Sequence, residues 1–354
     1  MDKDGLLRSI LSRVRGDAPR PGAPPEAAAP TPLPVTPADV RAAYRLLLDR
    51  EPEDEAVVAD KLRRLSDTSG LRREFLTCPE FREREAGHAQ PTLSGLEPPV
   101  SVELEPPAKE LEALYEHVRS TWQRLGETDP HWSVSTSEVF RADRIEGTRE
   151  EFYETGEAAA KRLVAACLRA GVGLNAGGDC LELGCGVGRV TFWLSRLFRT
   201  VHAVDISAAH LAEARTALAA RGVTNVVFHE LKDPSALGGL PKVDAVFTIE
   251  VLQHNPPPVI LAALRALLSS LRPGGIAYFQ VPTWAPGYSF AARPFLGAIA
   301  SRPAGMEMHV LPQAAALRAI REAGAETLEV LEDGIPGPAF RGMSNTFLAR
   351  KLSE

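Results

Sequence analysis

From residue 177 onward, short apolar runs alternate with helical patterns, and this alternation limits the possible folds more than any other feature of the chain. The runs are Cys180–Leu183, Val201–Val204, Val226–Phe228, Ala245–Ile249, Ile276–Val281, Thr327–Leu331 and Thr346–Ala349. They are nearly continuous in apolar residues instead of alternating with polar ones. That is the pattern of strands buried on both faces, in a mostly parallel sheet with helices packed on each side. The expected fold class is therefore α/β, with a seven-stranded sheet preceded by helical segments.

The first run leads into Leu181-Glu182-Leu183-Gly184-Cys185-Gly186-Val187-Gly188-Arg189-Val190-Thr191. Glycines at a strand-to-helix turn let the backbone pass close to a ligand, because they lack Cβ and tolerate positive φ. The helix start behind them is expected to offer N–H groups to an anion such as the carboxylate of a methionine moiety. A dinucleotide fingerprint would put its third glycine at position 189, which is Arg189. The pattern present is acidic-x-Gly-x-Gly-x-Gly. The second run ends in Asp205, whose carboxylate could accept both hydroxyls of a ribose; the alternative is a helix cap before Ile206-Ser207. The third run leads to Asp233. The fourth ends in Glu250-Val251-Leu252-Gln253-His254-Asn255-Pro256, and the fifth follows Leu271-Arg272-Pro273-Gly274-Gly275.

In this order and spacing, the elements resemble the class I S-adenosylmethionine methyltransferases over roughly residues 150–351. The resemblance implies a Rossmann-like sheet and S-adenosyl-L-methionine as cofactor. It places Glu182, Gly184, Cys185, Gly186, Gly188, Asp205, Ile206 and Glu250 around that cofactor. It also implies contact between Asp233 and the adenine amino group, a donor that suits a carboxylate; a solvated loop charge is the alternative there. His254, just after the fourth strand, and His309, in a long connection after Trp284, are the candidate bases. An imidazole near its reference pKa of about 6.5 can take a hydroxyl proton at neutral pH. For each, the alternative is a packed structural histidine. The connection holding Tyr288, Phe290, Phe295, Met306, Met308 and His309 is expected to run about thirty residues before the next helix. With the aromatic segment that carries Tyr115, Trp122, Trp132 and Tyr153, it would cover the substrate.

Other classes are disfavoured. A net charge of −6 suits phosphate-backbone binding poorly. Neither an Asn-Pro-Pro-Tyr nor an Asp-Pro-Pro-Tyr signature of DNA methylation is present, so no nucleic-acid partner is expected. No His–Cys–Glu cluster has metal-ligand spacing, so no metal is expected. Cys78, Cys167, Cys180 and Cys185 read as reduced thiols. With neither a long apolar run nor a signal-peptide pattern, the expected location is cytoplasmic, with no transmembrane segment.

The N-terminal third is organised differently. Leu6, Leu7, Ile10, Leu11 and Val14 share one face of a possible basic amphipathic helix, which could dock on a partner or a membrane surface. A Pro/Ala-rich linker follows. Thr36-Pro37 reads as a helix start, with further helices expected around 53–66 and 68–77. Tyr44-x-x-x-Leu48-x-Arg50-x-Pro52 and the closing Cys78-Pro79-Glu80-Phe81 resemble a small helical domain attached to bacterial glycosyltransferases and methyltransferases of polysaccharide assembly. The expected boundaries are 1–35 (amphipathic helix and linker), 36–86 (helical accessory domain), 87–108 (linker), 109–176 (helical cap) and 177–354 (cofactor-binding domain). The functional expectation is a methyltransferase acting on a small molecule or glycan precursor, by O-methylation. The alternative is a cofactor-binding, non-catalytic partner in a biosynthetic complex. An NAD(P)-dependent oxidoreductase is disfavoured by Arg189.

Overall fold

The computed structural model describes residues 33–81, 95–299, 305–337 and 340–353. The amphipathic pattern at 1–16 lies outside them. The chain divides after Glu97 into two compact units, each described by itself.

In the larger unit the strands are β1 (Ser101–Val102), β2 (Asp179–Leu183), β3 (Thr200–Asp205), β4 (Val226–Glu230), β5 (Val243–Thr248), β6 (Leu271–Trp284), β7 (Ser289–Phe290), β8 (Ala325–Asp333) and β9 (Met343–Lys351). Seven of them form one sheet in the order β4-β3-β2-β5-β6-β9-β8. The pairs from β4 through β6 are parallel, while β9 runs antiparallel to both β6 and β8. The expected seven-stranded, mostly parallel sheet is thus present, and every apolar run lies on one of its strands. Neighbouring residues on a strand enter opposite cores. Leu181 and Val246 pack with Leu114, Leu264 and Phe279 on one face. Cys180 and Ala245 pack with Leu163, Cys167 and Phe198 on the other. Burial on both faces is why the runs on β2, β5, β6 and β9 lack a polar alternation, whereas the edge strands β4 and β8 leave Val227, Val330 and Leu331 exposed.

The chain leaves β2 toward β3 and β4, then crosses back to place β5 on the other side of β2. That reversal opens a crevice beyond the carboxyl ends of β2 and β5, where ligands bind in sheets of this kind.

The connection after Trp284 departs from expectation. It is not an uninterrupted loop, because β7 pairs in parallel with β1 and a helix, Ala292–Ala298, follows. Phe290 and Phe295 are buried in the main core and anchor this segment. Glu103 accepts the N–H of Ala292 at 2.7 Å. Ser101–Glu103, read from sequence as linker, is therefore tied into this unit.

The smaller unit is a three-helix cluster: Pro37–Leu48, Glu55–Arg64 and Thr68–Thr77. Thr36 and Asp39 form a reciprocal capping box with Pro37 at the first turn. Val40, Tyr44 and Leu48 recur every four residues and pack on Val58, Leu71 and Phe75. The two halves of the sequence motif meet here. Arg50 makes a bidentate pair with Glu80 at 2.7 and 2.8 Å and lies 4.8 Å over the Tyr44 ring.

Candidate functional site

A cavity of about 400 Å³ opens where the two halves of the sheet diverge. One wall is the segment Glu182–Gly186, with Arg189 and Val190. Asp205, Ile206 and Leu231 close one end, and Glu250–Asn255 forms the opposite side. Tyr115 and Trp122 from the helix Ala108–Thr128, and Ser133–Thr136 beyond it, complete the lining. This size and mixed apolar-polar lining suit a small-molecule site.

The glycine turn owes its shape to conformation more than to open space. Gly184 and Gly186 have φ of 72° and 53°. A Cβ on Gly184 would lie 2.3 Å from the Val251 side chain, and one on Gly186 would lie 2.6 Å from that of Val134. Only glycine fits at either point. Four N–H groups of the turn are engaged within the protein. Gly184 and Cys185 donate to the carbonyl of Val204, Gly186 to Asp205 and Gly188 to the carbonyl of Cys185. The helix behind the turn, Thr191–Leu194, is a single turn. The glycines allow close approach, and a charged side chain stands beside them in the cavity wall.

That side chain is Arg189. It is buried in the cavity wall, its Nη2 pairs with Glu250 at 2.7 Å, and its Nε has no hydrogen-bond partner. A buried guanidinium with a donor to spare suits an anionic group such as a carboxylate. Glu250 stands at φ 62°. This is a conformation L-residues seldom adopt, and here it occurs at the fold's switch point. Its N–H donates to Gln280 Oε1 at 3.1 Å, which holds the turn.

Asp205 closes β3 as expected, and its oxygens already work within the protein. Oδ2 accepts from Gly186 N–H at 2.8 Å and Oδ1 from Ser207 N–H at 2.9 Å. An ionised carboxylate retains acceptor capacity beyond two bonds, so it can both brace the turn and receive hydroxyls from the cavity. Glu182 is fully desolvated. Burial pushes its carboxyl up to about 7, against the opposing effect of the Thr191 hydroxyl that donates to it at 2.6 Å. Cys185 lines the cavity with its thiol pushed upward by burial, which leaves it an unreactive packing group. Asp233 is exposed and is not among the lining residues; Leu231 takes that place.

The two histidines differ from their sequence reading. His254 lines the cavity beside Trp122, with ring centroids 5.5 Å apart. Its Nδ1 is 2.8 Å from the carbonyl of Glu307, so Nδ1 carries the proton and donates. Its Nε2 accepts from the Gln253 amide at 3.1 Å. Burial pushes its pKa down to about 4, so the expectation of a base near 6.5 does not hold. His309 lies off the cavity, packed against Phe290 and Phe295. Its ring nitrogens meet Tyr288 Oη at 2.9 Å and Glu307 Oε2 at 3.2 Å. Of the aromatic segment, Tyr115 and Trp122 reach the cavity. Tyr153 is instead buried in the adjoining core, and Trp132 stacks under Arg141 at 3.6 Å. Among the described residues, no group of three or more His, Cys, Asp or Glu side chains is placed to hold a metal ion. None of the described helices is long and apolar enough to cross a membrane.

Comparison with known proteins bears on this same stretch. The profile of a methyltransferase domain matches residues 181–277. Two curated relatives are similar to part of the chain. The ubiquinone biosynthesis O-methyltransferase of Pseudomonas fluorescens strain Pf-5 is 32% identical over 122 residues, 34% of this chain and 51% of that protein. The protein of the same name from strain Pf0-1 is 30% identical over 118 residues, 33% of this chain and 50% of that protein. The chain thus spans about half the length of the curated relatives it matches. Among solved structures, magnesium protoporphyrin IX methyltransferase from Synechocystis PCC 6803 with bound cofactor is 18% identical with a TM-score of 0.44, covering 67% of this chain and 97% of that one. The N-methyltransferase NodS of Bradyrhizobium japonicum WM9 is 13% identical with the same TM-score, covering 67% and 100%. Residues 181–277 are thus similar to a methyltransferase domain.

Proposed function

We propose that the whole chain, built around this methyltransferase domain, transfers a methyl group from S-adenosylmethionine to a hydroxyl of a small molecule or glycan precursor. The observation that carries the reading is the cavity itself. A glycine turn that no side chain could occupy faces a strand-end carboxylate, Asp205, and a buried guanidinium, Arg189. A nucleoside diol suits the first and an amino-acid carboxylate the second. When bound, the cofactor supplies an electrophilic methyl on a sulfonium. The chain's own part is to bind, orient and exclude water. Arg189 would hold the carboxylate end, with Glu250 fixing the guanidinium. Asp205 and Ile206 would hold the ribose end, and Glu182 lies beneath the turn. With both ring nitrogens of His254 engaged and its pKa lowered, catalysis in this reading rests on alignment. His254 then serves as a neutral wall group.

The O-methyl reading is supported by the names of the two curated relatives. The glycan alternative, and a setting in polysaccharide assembly, are supported only by the likeness of residues 36–86 to accessory domains. Docking through residues 1–16 and a cytoplasmic location belong to the same proposal.

Titration calorimetry with S-adenosylmethionine tests it. The wild-type protein should bind. Asp205→Ala and Arg189→Met should each weaken binding by about 1–3 kcal/mol, the worth of hydrogen bonds to charged groups. No binding by the wild type, or equal binding by all three proteins, would remove the cofactor assignment.

A further inference from the structure

Between the Glu250 turn and residue 309 runs a chain of hydrogen bonds. Glu250 N–H donates to Gln280 Oε1, and the Gln280 amide donates to Gln253 Oε1 and Ser344 Oγ. The Gln253 amide donates to His254 Nε2, and His254 Nδ1 donates to the carbonyl of Glu307. Two backbone bonds lie alongside, from His309 N–H to the carbonyl of Gln253 at 2.7 Å and from Leu311 N–H to that of Pro282 at 2.9 Å. The Glu307 carboxylate is gripped from outside the cavity. His117 Nε2 and His309 Nε2 lie 3.3 and 3.2 Å from the same oxygen, Oε2, and His309 Nδ1 is left to accept from Tyr288. His254 satisfies this network with Nδ1 as donor and Nε2 as acceptor.

The segment is extended, and its side chains alternate in direction. Met306 and Met308 line the cavity; Glu307 and His309 do not. The same lining holds Trp122, Ile335 and Pro336, and Arg189, the cation of the lining, is already paired with Glu250.

We propose that Met306 and Met308 form the wall that grips the acceptor, that Glu307 is the positioning residue that holds this wall, and that the acceptor carries its hydroxyl on an uncharged apolar body. Polarizable, unbranched thioethers mould themselves to apolar or aromatic surface and offer nothing to a charged group. The inference rests on the reading of the same cavity as an S-adenosylmethionine site.

The test uses the full chain with S-adenosylhomocysteine, followed by 1-naphthol or methyl glucoside as acceptor probes, all by calorimetry. The wild type, Glu307→Leu, Glu307→Gln and the Met306→Ser/Met308→Ser double variant should bind S-adenosylhomocysteine alike, which also shows that each is folded. With that ligand bound, naphthol should bind the wild type in preference to the glucoside. Its affinity should fall about tenfold or more in Glu307→Leu and in the double variant, the scale of lost apolar complementarity. Glu307→Gln should restore it, because an amide oxygen can accept both histidine N–H groups. Undiminished naphthol binding in Glu307→Leu and the double variant, a preference for the glucoside, or a Gln variant as weak as the Leu variant would overturn the proposal while leaving the cofactor reading intact. Failure of the wild type to bind S-adenosylhomocysteine would overturn the cofactor reading itself.

Discussion

Glu182 shows how one residue can carry both the signature of the site and a cost to the fold. It sits at the end of β2, wholly buried, with its carboxyl raised from the usual 4.5 to about 7 by burial. A group raised on folding adds stability that is fully present below its unfolded pKa and lost as pH rises through the folded value. Glu182 should therefore weaken the fold as pH climbs from about 4.5 to 7. Glu182→Gln keeps the shape and cannot ionise, so denaturant midpoints of the variant should gain on the wild type with rising pH across that window. A constant difference would show that Glu182 titrates normally. At this scale the sequence was informative for Glu182, Asp205 and the glycines, because their roles follow from position on a strand-turn-helix unit. It used Arg189 only to exclude a dinucleotide fingerprint and gave no sign of its pairing with Glu250, which stands 61 residues away. It also gave no sign of the burial that lowers His254, because a reference pKa carries no information about burial.

At the scale of elements, the helix Ile145–Arg169, read from sequence as part of a substrate cap, braces the glycine turn. Tyr153 Oη donates to the carbonyl of Val187 at 2.8 Å, and Trp193 Nε1 donates to the carbonyl of Tyr153 at 2.7 Å. Gly156 permits this approach, since a Cβ there would fall 2.2 Å from the carbonyl oxygen of Arg189. Backbone cannot yield as a flexible side chain does. Gly156→Val should lower the melting temperature sharply and weaken S-adenosylmethionine binding through the displaced turn. Gly147, in the same helix, has open space around its Cβ position. Gly147→Ala should be neutral or gain up to about 1 kcal/mol from helix propensity. Equal effects of the two substitutions on melting would deny the helix its bracing role. The central sheet strands were legible because burial on both faces writes an apolar run into the sequence, as in β5 and β6. The β1–β7 pair was not, because two residues per strand hold no periodicity, and its partners lie 188 residues apart, as in Ser101 and Ser289.

For the whole molecule, the histidines set the response to acid. His131 and His254 are pushed down to about 4 by burial, and His202, His210 and His229 are lowered by the same cause. In the unfolded chain all five would titrate near 6.5. A histidine depressed on folding contributes stability that is present above its unfolded pKa and lost as pH falls through its folded value. Between about 6.5 and 4 the unfolded chain binds more protons than the folded one, and stability falls with acidification. Glu182 works the other way between about 4.5 and 7, and Asp333, also raised by burial, does so above about 3.8, but these are two groups against five. Urea midpoints should therefore drop steadily from pH 7 to pH 5, well before most carboxylates titrate. His131 packs edge-on against Phe152, centroids 5.0 Å apart, and faces Glu213 at 3.6 Å. His131→Phe keeps the aromatic contact and removes the proton site, so it should shorten that drop. A wild-type midpoint that stays level or rises over this range would mean that the histidines are solvated in the folded state. The desolvation argument that removes His254 from the role of base would then fall with it.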